Sequence, residues 1–105
     1  MFEKYKLNLS KEKRKELGFR YDFDLEDYVY EFPVYKSNGI TSLKCKLSVD
    51  DETCKILVNV YDMKGNIYSS FYNRRYGKSK IVSIVDRNIK NKIEELKKME
   101  ENASE

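Results

Sequence analysis

The residues best placed to do chemistry lie in Tyr72-Asn73-Arg74-Arg75-Tyr76-Gly77-Lys78-Ser79-Lys80, where four bases surround two tyrosines and a glycine. Its Gly77-Lys78-Ser79 matches the tail of a nucleotide-binding loop. The full loop needs a glycine five residues before Gly77, and Tyr72 stands there. It also needs a parallel strand ahead of it, whereas the strand pattern before it is antiparallel, and no acidic metal-holding strand follows. Nucleotide hydrolysis is therefore excluded. What survives is simpler. A helix beginning near Ser79 offers unpaired N–H groups and partial positive charge. Arg74, Arg75 and Lys78 beside it can meet a phosphate or a partner's carboxylates. The plain alternative is a solvated basic loop with Ser79 as an ordinary helix cap.

A second cluster comes from strand alternation. Lys44, Lys46, Asn59, Tyr61, Tyr68 and Tyr72 share the face of a sheet opposite its apolar side. Tyrosines interleaved with lysines on an open antiparallel sheet can stack bases and neutralise phosphates. They also suit a protein interface, where tyrosine is enriched. Cross-strand pairing of half-exposed aromatics is the plain alternative. Nine tyrosines in 105 residues exceed the needs of one small core, which favours an interface.

Other chemistries find no support. The chain has no histidine, which removes the commonest general base, the commonest zinc ligand and every Ser-His-Asp arrangement. The run Asp22-x-Asp24-x-Glu26-Asp27 lacks the glycine and terminal glutamate of a calcium loop. It is read as a charged surface able to meet a basic partner. Two cysteines, Cys45 and Cys54, make no disulfide framework and read as small core residues. No catalytic residue, metal or cofactor is expected.

Twenty-one bases against 18 acids give a net charge of +3, too mild to announce a nucleic-acid binder. The distribution is less even. Residues 22–31 carry five acids and no base, whereas residues 74–92 carry Arg74, Arg75, Lys78, Lys80, Arg87, Lys90 and Lys92 against Asp86 alone. Such runs are usually solvated faces. No apolar run reaches the ~18 residues of a membrane span, and the first residues have no apolar core of a signal peptide. A cytoplasmic location is expected.

One domain over 1–105 must position these residues. Residues 1–26 form an N-terminal arm with a short, lightly anchored helix over 10–17, capped by Ser10 and ended by Gly18. Residues 27–73 form the sheet. Its first strand, 27–36, puts Tyr28, Tyr30, Phe32 and Val34 on one face, with Pro33 marking an edge or a bend. Strands 41–49 and 54–61 pair about a tight turn at Asp51-Glu52, setting Val49 opposite Cys54, Leu47 opposite Ile56 and Cys45 opposite Val58. A bulged turn at 62–66 leads to a fourth strand, 67–73, with Ile67 and Phe71 facing in. From about 79 to 101 the period becomes helical. Val82, Val85, Ile89, Ile93 and Leu96 form a stripe suited to cover the sheet, and 102–105 is a frayed tail. The fold class is α+β: an antiparallel four-stranded meander with a long C-terminal helix on one face and a short N-terminal helix.

The stretch VNVYDMKGNIYSSFYNRRYG, with YEFPVYK ahead of it, resembles small uncharacterised proteins carried by phages and conjugative elements of low-GC Gram-positive bacteria. The likeness spans about residues 28–96. It implies a mobile-element accessory protein, a group that includes inhibitors of host defence such as anti-CRISPR proteins. It assigns no functional residue. The expectation is a non-enzymatic module that binds a protein through Lys44, Lys46, Tyr61, Tyr68, Tyr72, Arg74, Arg75 and Lys78. The alternative is nucleic-acid binding by the same residues. No membrane contact is expected, and a homodimer is compatible with either reading.

Overall fold

A computed structural model describes residues 2, 5–73 and 79–103, with 101–103 described for their backbone alone. The elements run α1 (Lys11–Leu17), β1 (Arg20–Asp22), β2 (Asp27–Ser37), β3 (Ile40–Val49), β4 (Ile56–Asp62), α2 (Ser69–Tyr72) and α3 (Lys80–Ala103). The four strands form one antiparallel sheet in the order β1-β2-β3-β4. The expected α+β class, with its long C-terminal and short N-terminal helices, is the fold observed.

Local chemistry explains where the helices begin and end. Ser10 Oγ accepts from the Lys13 backbone N–H at 3.1 Å, and Gly18 adopts φ 111°, a left-handed stop. Ser79 Oγ accepts from the Val82 N–H at 3.1 Å and opens α3. The expected stripe on α3 is buried throughout: Val82, Val85, Ile89, Ile93 and Leu96 all face inward. It meets Phe32, Val34, Leu43, Cys45, Leu47, Val49, Ile56 and Val60 from the sheet in one core cluster, apart from Val82 at its margin.

Several expectations change. The fourth strand is Arg20–Asp22, not 67–73. Three residues are too few for alternation to show. Residues 69–72 instead form a helical turn, because Tyr68, Phe71 and Tyr72 at i, i+3, i+4 satisfy the helical period. Phe71 is buried as expected, but Ile67 is exposed. The sheet domain thus runs from 20 to 62.

The β3–β4 turn is longer than a tight turn at Asp51-Glu52. Asp50 Oδ1 accepts from the Glu52 and Thr53 N–H groups, Asp50 and Lys55 are bonded through the backbone, and Cys54 sits at φ 61° outside the strand. Val49 therefore opposes Ile56, Leu47 opposes Val58 and Cys45 opposes Val60. The shift is two residues, so every side chain keeps its face. Cys45 is fully buried and Cys54 only half-buried.

The N-terminal segment is not lightly anchored. Leu7, Leu9, Phe19 and Arg14 are all buried. The Leu7 N–H bonds the Cys54 carbonyl at 2.9 Å, and Lys6 bridges Lys55. Arg14 Nη1 lies 2.8 Å from Asp51 Oδ1. The C-terminal helix also continues to Ala103, beyond the expected 101.

Pro33 marks a bend within β2. A register irregularity falls between Pro33 and Tyr35, where proline has no N–H to give a ladder. Val34 turns its carbonyl to Asn88 Nδ2 of α3 at 2.8 Å, which ties the irregularity to the covering helix.

Candidate functional site

Strand alternation divides the sheet. The inner face packs on α3. On the outer face, register sets Lys44 beside Tyr61 and Lys46 beside Asn59, with Pro33 and Glu31 on their other side. Ser48 and Leu57 form the next outer pair. Ser48 and Val29 on this face are buried, so its exposed part is the stretch around Glu31, Lys44, Leu57 and Met63.

Both of its central lysines are paired within the chain, while Arg20 on the same face donates, among the described residues, only to the Lys15 and Phe19 carbonyls. Lys46 Nζ donates to Asp22 Oδ2 at 2.6 Å, reaching across β2 from β3 to β1. The hydrogen bond to Lys46 holds the Asp22 carboxyl below its usual range, helped by the Leu25 backbone N–H. The same bond raises the Lys46 ammonium against a smaller opposing effect of burial. Lys46 also stands 5.2 Å from the Tyr61 ring centroid. Beside it, Lys44 Nζ donates to Glu31 Oε1 at 3.1 Å.

Apolar groups frame these pairs. Met63 and Leu57 are exposed, and Tyr61 is half-buried. A shallow groove of about 210 Å³ is lined by Glu31, Phe32, Pro33, Thr41, Lys44 and Met63. The outer face thus carries two internal ion pairs beside aromatic and aliphatic patches.

Tyr68 and Tyr72 do not share that face, because 67–73 is no strand. They lie along the free edge of β4. Tyr68 N–H donates to the Val60 carbonyl at 2.9 Å, and the Val60 N–H donates to the Tyr72 hydroxyl at 3.0 Å. Desolvation raises the Tyr72 hydroxyl pKa, opposed by the hydrogen bond from Val60. Tyr72 also lines a groove of about 410 Å³ with Phe2, Leu57, Val58, Asn59 and Phe71. Arg74, Arg75 and Lys78 lie outside the described residues. The structure therefore brings together Lys44, Lys46 and Tyr61, and sets Tyr68 and Tyr72 on the flank.

Sequence reasoning missed four participants: Asp22, Glu31, Leu57 and Met63. Leu57 carried a usable signal, since it alternates with the inward Ile56 and Val58. Asp22 was read only as part of an acidic surface, because its partner Lys46 is 24 residues away and its strand is three residues long. Among the described residues, no group of three or more carboxylates or cysteines is placed to hold a metal ion, and no helix is long and apolar enough to cross a membrane. Compared with known proteins, the chain matches no family model, no curated protein and no solved structure.

Proposed function

We propose that this chain is a non-enzymatic protein-binding accessory or inhibitor protein of a phage or mobile element, of the anti-defence kind that includes anti-CRISPR proteins. The resemblance over residues 28–96 suggests the setting. The observation that carries the binding reading is the internal pairing of the outer-face lysines. Affinity for nucleic acid comes largely from cations that replace counterions along the phosphates. Lys46 and Lys44 already have Asp22 and Glu31 as partners, so a phosphate backbone would have to displace both carboxylates. A protein surface needs no such exchange. It gains from burying Leu57, Met63 and the Tyr61 ring while the ion pairs remain as polar rim.

The test is recovery of a partner from lysate of a low-GC Gram-positive host, with and without nuclease, on immobilised wild type and on a Leu57→Ser/Tyr61→Ala variant. A discrete protein that survives nuclease and high salt, and is lost with the variant, is expected. Recovery that vanishes with nuclease and falls steeply with salt would replace this reading with nucleic-acid binding.

A further inference from the structure

The loop joining β1 to β2 carries an exposed aromatic tip. Phe23 is 85% exposed, the highest value among the large apolar side chains described, and Tyr21 is 46% exposed. Their rings meet edge to face with centroids 5.0 Å apart, and Tyr21 meets Tyr28 in the same way at 5.4 Å. Lys15 Nζ closes the row, 5.4 Å from the Tyr28 centroid. The result is a ledge of three aromatic rings whose outermost member stands in solvent.

The tip is held in shape before any partner arrives. Asp22 Oδ1 accepts from the Asp24 N–H at 2.9 Å and the Leu25 N–H at 3.0 Å, while Oδ2 takes Lys46. Around the tip stand Asp24, Glu26 and Asp27. Asp27 Oδ1 accepts from the Tyr28 N–H at 2.7 Å, and among the described residues none of the three carboxylates makes an ion pair.

We propose that this tip is a docking plug: Phe23, backed by Tyr21, enters an apolar pocket on a partner protein whose rim carries lysine or arginine. Exposed aromatics that fill a pocket dominate interface energetics, and a pre-shaped loop loses little freedom on binding. Unpaired carboxylates at its rim steer encounter with basic surfaces. The same carboxylates repel nucleic-acid phosphates and anionic bilayers, so a basic-rimmed protein pocket is the occupant that fits. This surface is distinct from the outer face, and it rests on the proposed function only for the choice of host in its test.

Two proteins test it, one with photoreactive p-benzoylphenylalanine in place of Phe23 and one with it in place of Tyr61, each illuminated in the low-GC Gram-positive host. The first is expected to give one discrete protein adduct, mapped to an apolar pocket edged by lysine or arginine. For that protein, purified, Phe23→Ala should weaken binding at least about tenfold. Asp24→Lys/Glu26→Lys should weaken it more at low salt than at high salt. Circular dichroism confirms that both variants are folded. No adduct at position 23, an adduct only to a second copy, to nucleic acid or to lipid, or an affinity indifferent to Phe23→Ala would overturn the proposal. Adducts at 61 report on the outer face, so the two readings fail separately.

Discussion

Removing the Asn88 side chain should expose how the long helix and the bent strand hold each other. Asn88 Nδ2 donates to the Val34 carbonyl at 2.8 Å in a partly buried setting. A hydrogen bond between neutral groups contributes about 1 kcal/mol net, and a carbonyl left unsatisfied in a partly buried site costs ~1–3 kcal/mol. Asn88→Ala should therefore lose roughly 1.5 kcal/mol from this contact. Part of that loss is hidden, because alanine is the better helix former by about 0.5 kcal/mol. Asn91→Ala, at an exposed position on the same helix, provides the correction. The gap between the two variants isolates the contact at about 1.5 kcal/mol, or a difference of roughly 6–12 °C in Tm. Urea unfolding followed by circular dichroism measures it. A gap below ~0.5 kcal/mol would show that the Val34 carbonyl finds water as readily as Asn88, and the bend would owe nothing to α3.

Asp22→Asn tests the cross-sheet ion pair through pH. The folded-state pKa of Asp22 is depressed, so its contribution is present above the unfolded value of 3.8 and is lost as pH falls through the folded value. The variant should lose about 1 kcal/mol at neutral pH and show a shallower decline in stability in that acid range. Lys46 shifts upward, so its contribution is present below its usual 10.5 and fades as pH rises through the folded value; Lys46→Met should flatten that alkaline limb. Asp51→Asn should destabilise by ~1–3 kcal/mol because it strips the counter-charge from buried Arg14, whose Nε has no partner among the described residues. Arg14→Met should cost less than Asp51→Asn in the same urea titration, since it removes the buried charge altogether. Burial pushes the Cys45 thiol up to about 12, so a thiol reagent at pH 8 should label Cys45 only as fast as the protein unfolds, read by mass spectrometry of the modified peptide.

Where the sequence was legible, a single physical period decided the outcome. The α3 stripe repeats at helical spacing over many residues, so its buried face could be named residue by residue. The inward and outward sets of β3 and β4 follow from alternation, and they survived a wrong turn because the error was two residues rather than one. Legibility failed where two periods fit equally well. Ile67 and Phe71 are four apart, which keeps one face of a strand and of a helix alike, and the chain chose a helical turn. It failed again where structure depends on a distant contact. Nothing local marks Leu7 as a core residue, because its place rests on a backbone bond to the β3–β4 turn.

The candidate site shows the same division. Alternation placed Lys44, Lys46 and Tyr61 together, since they belong to neighbouring strands of one hairpin. It read the lysines as free charges because their acids come from β1 and β2, beyond the reach of local pattern. That difference alters the functional argument more than any misplaced strand. A lysine facing solvent alone can replace a cation on a phosphate backbone, whereas one held 2.6 Å from a carboxylate must first give up that partner. The same carboxylate shapes the loop that presents Phe23. Asp22 therefore joins the two surfaces. It quiets the charge of the outer face on one side and fixes an aromatic tip with unneutralised acids on the other. A chain with a mildly positive total charge thus turns an acidic, aromatic edge outward, and a basic protein surface is what such an edge complements.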